Sequence, residues 1–214
     1  ELIEWRRAGA DRYLLRFETS NSNLFKAIHP HKTSQTLSRL DILNVLKTLG
    51  YEVGSGVMVG IPGQRYEDLV NDLALFRELD LDMIGIGPYI PHPMTPLGKV
   101  LSSEDDIPAD ALTAYKMTAL TRLVRPDSNI PCTTAIRTIN RADGLELGLQ
   151  RGANVAMPNL TPIKYRALYD IYPGKACQDE SAEICHPCIT RRIESTGRKI
   201  GKGQGSRSQH KAVR

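Results

Sequence analysis

The chain has 214 residues, of which 41% are hydrophobic and 24% charged, with a formal net charge of +4 and a pI near 8.9. This is an ordinary globular composition, sufficient for one sizeable hydrophobic core or two small ones. No apolar run reaches the roughly 18 residues that a membrane-spanning helix needs, so a membrane protein is not expected.

The excess of positive charge is confined to the end of the chain. The basic residues there are Arg191, Arg192, Arg198, Lys199, Lys202, Arg207, Lys211 and Arg214. The body is therefore close to neutral. Residues 201–214 are rich in Gly, Ser, Lys and Arg, which predicts a basic, disordered tail. Because no aromatic side chains are interleaved with these charges, nucleic-acid binding is not favoured.

The cysteines are unevenly spaced, with Cys132 alone and Cys177, Cys185 and Cys188 clustered near the end. In a body of α/β character this spacing argues against a disulfide scaffold and for a reducing, cytoplasmic compartment. No signal peptide is recognisable. The chain opens on Glu1 rather than on Met, which is the start expected of a piece of a longer protein.

The first elements are a helix and a strand. Residues 1–8 are typical of the last turns of a helix, which Gly9 closes. Residues 12–19 (R-Y-L-L-R-F-E-T) begin with an apolar run that is typical of a buried parallel strand. Arg16 and Glu18, two residues apart at its end, should point the same way because strand side chains alternate. Ligands bind at that end of the strands in α/β folds.

Two more strand and helix units follow. Leucines at helical spacing predict a helix with Ser34 as the candidate N-cap and Gly50 at its end. Residues 53–61 predict a strand, residues 83–90 another, and residues 91–96 a proline-rich loop of functional character. The helix between those strands should bury Leu69, Val70, Leu73, Phe76 and Leu79. A helix opened by Pro108 should bury Leu112, Tyr115, Leu120 and Leu123.

The last predicted elements complete the pattern. Residues 133–139 predict a fourth strand, residues 143–151 a short helix, residues 155–157 a fifth strand, and Thr161-Pro162 the start of another helix. The alternation of strands and helices predicts a parallel sheet. Because no phosphate-binding glycine motif follows a first strand, a partial (βα)8 barrel is favoured over a doubly wound sheet.

The strongest chemical signal is Cys177-x7-Cys185-x2-Cys188. Three thiols on a loop suggest an iron–sulfur cluster with one iron left open, or a zinc site completed by His186. The alternative is three unrelated surface cysteines. Pro187 predicts a loop rather than a helix at this point.

Other candidates have ordinary structural explanations as well. His92 in a P-H-P loop is a metal ligand or a hydrogen-bonded loop residue, and Arg39 is a site residue or an exposed helical arginine. Thr133, Thr134 and Thr138 could bind an anion or fill a strand. Tyr165, Tyr169 and Tyr172 follow helical spacing, which predicts a packing stripe.

The motifs together resemble those of the HydE family of FeFe-hydrogenase maturases, in the radical S-adenosylmethionine superfamily. They include R-Y-L-L-R-F-E-T, G-V-M-V-G-I-P-G-Q, D-M-I-G-I-G-P-Y-I-P-H-P, G-A-N-V-A-M-P-N and L-Y-D-I-Y-P-G-K-A-C. The resemblance implies a (βα)8 barrel that binds S-adenosylmethionine and a 4Fe–4S cluster held by a C-x3-C-x2-C loop. That loop is not in this sequence, so the visible strands are expected to be the fourth to the eighth.

The resemblance also implies roles for individual residues. Those matching S-adenosylmethionine contacts are Glu18 for its amino group, Arg39 for its carboxylate, and Met58 and Ile90 near the nucleoside. Those matching the substrate cavity are Arg16, Thr133, Thr134, Tyr169 and Tyr172. Cys177, Cys185 and Cys188 match ligands of an auxiliary 2Fe–2S or 4Fe–4S cluster. The expected organisation is barrel over residues 1–172, cluster loop and short helix over 173–200, and tail over 201–214.

The function implied is radical chemistry in assembly of the hydrogenase di-iron centre, on a small-molecule or iron-complex substrate and alongside other hydrogenase maturation proteins. No catalytic residue is assigned in this chain, and without the cluster motif the chain alone is expected to be inactive. One alternative is an enzyme resembling biotin synthase or methylornithine synthase. Another is a non-catalytic zinc-binding α/β module whose tail contacts RNA.

Overall fold

Five parallel strands form one sheet in the order in which they occur along the chain. The computed structural model describes residues 1–29, 37–166, 168–169, 171–178 and 181–207. The strands are β1 (Arg12–Leu14), β2 (Glu52–Val59), β3 (Met83–Pro88), β4 (Pro131–Cys132) and β5 (Val155–Ala156). The sheet curls and is flanked by helices, so the predicted partial α/β barrel is confirmed as a half-barrel.

Helices connect the strands and follow the last one. Within the described ranges they are α1 (Leu2–Arg7), α2 (Ser22–Ile28), α3 (Arg39–Thr48), α4 (Tyr66–Glu78), α5 (Ala111–Val124), α6 (Thr134–Ile139), α7 (Gly144–Gln150), α8 (Ile163–Arg166) and α9 (Ala182–Ser195), with a 3-10 turn at Leu97–Lys99. Ser38 caps α3 in a reciprocal capping box with Asp41. The predicted cap, Ser34, lies outside the described residues.

The central strands β2 and β3 approach each other through glycines. A Cβ atom at Gly56 would lie 2.1 Å from the carbonyl oxygen of Gly85, so this crossing has no room for a side chain. Buried residues of β2, β3, α3 and α4 form one hydrophobic cluster, which includes Leu43, Val57 and Phe76. A second cluster lies between β4, α5, α7 and α9. The hydrophobic residues of the chain therefore form two packed clusters against one sheet.

A buried glutamine fixes the turn after β2. The side-chain oxygen of Gln64 accepts hydrogen bonds from the amides of Gly60 (2.8 Å) and Ile61 (3.3 Å), while its amide nitrogen donates to the carbonyl of Met58 (3.1 Å). Gln64 is fully buried, so these bonds are shielded from water. The Pro-Gly-Gln turn thus holds the carboxyl end of β2 in place.

Strand β1 is shorter and more exposed than the apolar run predicts. It ends at Leu14, whose side chain is 53% exposed because β2 is the only partner of β1 among the described residues. The chain rejoins β2 at Glu18, whose amide donates to Gly56 and whose carbonyl accepts from Met58, both at 3.0 Å. Glu18 has φ +66°, in the left-handed region that few non-glycine residues occupy.

Residues 133–139 form a helix, and the predicted fourth strand there is wrong. Strand β4 ends at Cys132, and α6 begins at Thr134. The β-branched residues suggested a strand, but Ile136 packs in the second cluster and the hydroxyl of Thr138 donates to the carbonyl of Thr134 within the helix. Strand propensity depends on a neighbouring strand surface, and packing decided otherwise here.

The predicted buried faces of two helices are right only in part: Leu69, Phe76, Leu79 and Tyr115 are buried as expected, and the other residues differ. In α5 three leucines that were predicted to be buried are exposed: Leu112, Leu120 and Leu123. The buried residues of α5 include Thr113, Tyr115, Met117, Thr118 and Thr121. Small threonines suit this position because α5 packs between α4 and α7. In α4 Val70 is exposed, whereas Asp72 is buried on the core face beside Leu69 and Phe76. A count of apolar residues could not anticipate polar side chains in these helix contacts.

The C-terminal cysteines and tyrosines also differ from expectation. Helix α9 runs through Pro187 and carries both Cys185 and Cys188, so the predicted loop is wrong there. Cys185 and Ile189 pack in the second cluster, and this burial offsets the helix hydrogen bond that proline cannot make. The tyrosine packing stripe is absent because α8 ends at Arg166, and Tyr165 and Tyr169 are exposed.

The first part of the predicted disordered tail packs against the amino-terminal edge of the sheet. Arg207 is 4% exposed and forms a two-pronged ion pair with Asp80 (2.8 and 3.1 Å) and a contact with Asp82 (3.0 Å). Arg12 donates to Ser206, and Asn129 to the carbonyl of Gly205. Arg207 and Arg125 hold the pKa of Asp80 far below its usual range. Residues 208–214 lie outside the described residues.

We expect Arg207→Ala to lower the free energy of unfolding by about 2 kcal/mol, because Asp82 is left buried without its cation while Asp80 keeps Arg125. Urea unfolding followed by circular dichroism measures the change. Arg191→Ala removes the same charge from an exposed position on α9 and serves as the control. Equal stability of both variants would contradict a structural role for this contact.

Candidate functional site

A cavity of about 1050 Å³ lies at the carboxyl edge of the sheet. It is lined by residues at or just after four strand ends, including Met58, Pro88, Thr133 and Met157. Of the candidate residues from the sequence, those in the lining are Arg16, Met58, Ile90, His92, Thr133, Thr134, Tyr169 and Tyr172. The structure therefore brings together residues that are up to 156 positions apart in the sequence.

Arg16 links the cavity to the other two predicted charges. Its Nε lies 3.2 Å from Oε2 of Glu18, so the two side chains point the same way as predicted. The guanidinium of Arg39 donates to the carbonyl of Arg16 and stacks on Phe25, with 5.2 Å between guanidinium carbon and ring centroid. Oε2 of Glu18 is buried and has no well-directed hydrogen bond within the described part of the chain. Neither Glu18 nor Arg39 is among the residues that line the cavity; both lie behind Arg16, which does.

Several lining residues were not singled out by sequence reasoning. His29, Tyr89 and Lys175 contribute polar atoms to the cavity. Burial lowers the pKa of His29, and it raises the pKa of Tyr89, whose hydroxyl has no hydrogen-bond partner among the described residues. The position of Tyr89 just after β3 and that of Lys175 two residues before Cys177 were usable signals, whereas nothing near His29 in the sequence marks a site.

A buried carboxyl lies behind the Glu18 segment. Asp72 on α4 is fully buried, and its Oδ1 accepts a hydrogen bond from the amide of Ser20 (2.6 Å). Burial raises the pKa of Asp72 to about 7, with a further contribution from the like charge of Asp68 and an opposing one from the Ser20 hydrogen bonds. Sequence reasoning missed Asp72, because an aspartate in a helix is normally expected to face solvent.

The three clustered cysteines surround a smaller cavity of about 190 Å³. Cys185 and Cys188 are one helical turn apart on α9, and Cys177 approaches from the preceding loop with φ +62°. Arg137, Arg141 and Arg192 also line this cavity. Across the described ranges no three metal-binding side chains are close enough together to hold a single metal ion.

Two arginines connect the thiol cavity with the end of β5. Arg137 donates to the sulfur of Cys177 (3.0 Å) and to the carbonyl of Met157 (3.2 Å), which lines the large cavity. Arg166 donates to the carbonyls of Cys177 (2.7 Å) and Asn159 (3.1 Å). The fourth cysteine, Cys132, is buried in β4, where burial raises the pKa of its thiol to about 12.

Fold and cavity together define a class, a partial parallel α/β barrel with its ligand cavity at the carboxyl ends of the strands. Within that class, the chain is similar to the [FeFe] hydrogenase maturase subunit HydE of Thermotoga maritima, with 50% identity over 206 residues, or 96% of this chain. This similarity confirms the resemblance to HydE that the motifs indicate.

More distant relatives cover less of the chain. An uncharacterised protein of Methanocaldococcus jannaschii is 32% identical over 77% of it, and a biotin synthase of Hydrogenobaculum sp. is 28% identical over 60%. The chain spans 57% of the length of the Thermotoga protein, 42% of the Methanocaldococcus protein and 36% of the biotin synthase. No family model matches the sequence. No described helix is both long enough and apolar enough to cross a membrane.

The variant Asp72→Asn should show a weaker pH dependence of the free energy of unfolding than the parent chain. A native pKa near 7, against about 4 in the unfolded chain, means that the native state binds more protons between these values, so stability falls as pH rises through 7. Relative to the parent chain, the variant should therefore gain about 2 kcal/mol in free energy of unfolding between pH 5 and pH 8.

Urea unfolding at four pH values over this range measures the gain. Asp105→Asn, at an exposed position, is the matched control and should show no such trend. A difference between Asp72→Asn and the parent chain that stays constant with pH would show that Asp72 is ionised throughout.

Proposed function

We propose that this chain contributes the S-adenosylmethionine contacts and the substrate cavity of a radical S-adenosylmethionine enzyme of the HydE type, which acts in assembly of the hydrogenase di-iron centre. The observation that carries the proposal is the 50% identity to HydE over nearly the whole chain, combined with the convergence of the motif residues on one cavity. The similarity to biotin synthases is weaker and covers less of the chain, which disfavours that alternative.

The charged groups at the cavity edge fit an amino-acid moiety. Glu18 places a carboxylate next to the cavity-lining Arg16, and a carboxylate is the partner suited to the ammonium group of S-adenosylmethionine. The guanidinium of Arg39 is held close to Glu18 by its hydrogen bond to the carbonyl of Arg16. It supplies the cation for the carboxylate of S-adenosylmethionine. Met58 and Ile90 provide apolar surface for the nucleoside. A cavity of about 1050 Å³ has room for this molecule and a substrate.

The remaining lining suits a polar, anionic substrate. Arg16 and Lys175 bring positive charge, and Thr133 and Thr134 lie at the end of β4. Tyr169 and Tyr172 stand at the mouth and would limit the entry of water once a substrate is bound. An iron complex carrying anionic ligands is the substrate class that this lining favours, and other hydrogenase maturation proteins are the proposed partners.

S-adenosylmethionine bound to a reduced 4Fe–4S cluster supplies hydrogen-abstraction chemistry that side chains cannot. The cysteine motif expected for that cluster is not in this sequence, so the proposal requires it from another part of the protein. The role of the present residues is to bind and orient the reactants and to exclude water.

We further propose that Cys177, Cys185 and Cys188 hold an auxiliary iron–sulfur cluster, of the 2Fe–2S or 4Fe–4S type. The three thiols line one cavity, and Arg137 and Arg141 beside it would balance the negative charge of a thiolate-bound cluster, while Arg192 is paired with Glu146. Arg137 already donates to the sulfur of Cys177, a contact that commonly tunes cluster sulfur ligands.

The S-adenosylmethionine contacts are tested by binding. In protein produced from the complete gene and reconstituted without oxygen, Glu18→Gln and Arg39→Gln should each raise the Kd for S-adenosylmethionine about tenfold or more, since each removes a charge-assisted hydrogen bond. Isothermal titration calorimetry measures the Kd. Arg12→Gln, at the opposite end of the same strand segment, should leave it unchanged. Unaltered affinity in both site variants would remove them from the site.

The auxiliary cluster is tested by elemental analysis of the same preparation. Iron and acid-labile sulfide should fall by one cluster equivalent when Cys177, Cys185 and Cys188 are all changed to Ala, because each supplies a ligand. Cys132→Ala, which removes the buried thiol of β4, should keep the full iron content. Stoichiometric zinc in place of iron in the unmodified protein would refute the cluster and support the zinc alternative.

A further inference from the structure

Helix α4 carries two buried acidic residues on the face that meets the Glu18 segment. Asp68 and Asp72 are one turn apart and both buried, and Asp72 lies between Leu69 and Phe76 on the core face. A carboxyl group in such a position costs stability unless it is hydrogen-bonded. The hydrogen-bond partners of these carboxyl groups therefore indicate which part of the structure they stabilise.

Asp68 caps its own helix by accepting from the amide of Arg65 (2.9 Å), and the other partners of the two carboxyl groups belong to the residues that follow Glu18. The amide of Ser20 donates to Oδ1 of Asp72 (2.6 Å), and the hydroxyl of Ser20 donates to the carbonyl of Asp68 (3.1 Å). The side-chain amide of Asn21 donates to Oδ1 of Asp68 (3.1 Å). Thr19, which precedes Ser20, is 4% exposed. Helix α4 thus binds this segment by three separate hydrogen bonds.

Residues that line the cavity lie in the chain on both sides of this segment, Arg16 before it and His29 after it. Before it stands Glu18, whose left-handed conformation is unfavourable for a residue with a side chain and persists only where its surroundings impose it. After it, Asn21 caps α2 by accepting from the amides of Asn23 and Leu24, and α2 leads to His29 in the cavity wall. A shift of Ser20 would move both.

We propose that Asp72 is a positioning residue for the S-adenosylmethionine site: by fixing the amide of Ser20 it holds Glu18 in its left-handed conformation and α2 in the cavity wall. The inference rests on the proposed function. Asp72 does not touch the cavity itself, because its carboxyl is fully buried behind the segment.

The second oxygen of the carboxyl supports this role. Oδ2 of Asp72 is buried and has no hydrogen-bond partner among the described residues, and burial raises the pKa of the group to about 7. A group that bonds through Oδ1 alone can be replaced by asparagine, which keeps that oxygen and the shape. Alanine removes the acceptor and leaves the Ser20 amide without a partner.

The test uses the anaerobically reconstituted protein from the complete gene, in four forms: unmodified, Asp72→Ala, Asp72→Asn and Thr118→Ala. Thr118 is buried in α5 and bonds within its own helix, so its variant is a core lesion remote from the segment. We expect Asp72→Ala to raise the Kd for S-adenosylmethionine about tenfold, Asp72→Asn to stay within about threefold, and Thr118→Ala to lower the Tm without changing the Kd.

Hydrogen exchange followed by mass spectrometry gives a readout that needs no ligand. Peptides covering residues 17–24 should exchange faster in Asp72→Ala only. Equal exchange in Asp72→Ala and the unmodified protein, or equal Kd, would overturn the proposal. If the unmodified protein binds no S-adenosylmethionine, the proposed function fails and the positioning role fails with it, even if exchange accelerates, leaving Asp72 a structural anchor only.

Discussion

The cavity depends on one backbone constraint, the return of the chain to β2 at Glu18. Leaving β1 at Leu14, the chain pairs again with Gly56 and Met58, and a left-handed residue at Glu18 then directs it away from the sheet. This path places Arg16 in the cavity wall and Glu18 beside it. Gly56 cannot carry a side chain because β3 is too close, so the strand that anchors Glu18 is itself set by the glycines of the β2–β3 crossing.

Charges are arranged differently at the two edges of the half-barrel. At the amino-terminal edge, Asp80 and Asp82 form ion pairs with Arg125 and Arg207, and Lys47 and Asp127 extend this network. At the carboxyl edge, arginines face a cavity or a sulfur atom rather than a carboxylate alone. Arg16 is paired with Glu18 and Arg192 with Glu146, whereas Arg137 and Arg141 contact a sulfur and backbone carbonyls. These cationic groups lie where anionic ligands would bind, which is consistent with ligand chemistry at that edge.

The large cavity and the thiol cavity are mechanically connected. Arg137 contacts Met157 of one and Cys177 of the other, and the loop containing Lys175 and Cys177 borders both. Ordering this loop around the thiols would therefore also order part of the mouth of the large cavity. The similarity to HydE covers both regions, since it extends over 96% of the chain.

Sequence alone determined the class of fold and most members of the site. Alternating apolar strands and helices indicated a partial parallel barrel. The resemblance to HydE motifs selected residues such as Met58 and Thr133, and these lie in the cavity at the carboxyl ends of the strands. Periodicity failed where polar groups are buried, as with Thr118 in α5, and where β-branched residues have no neighbouring strand, as in α6.

Only the tertiary structure decided how charged side chains are used. Asp72 and Arg207 look like solvent-facing residues in the sequence, yet both are buried, one against Ser20 and the other against Asp80 and Asp82. Their partners are 52 and more than 120 positions away. A local pattern records the preference of a residue for water or for the core, whereas the partner that makes burial of a charge tolerable is supplied by distant parts of the chain.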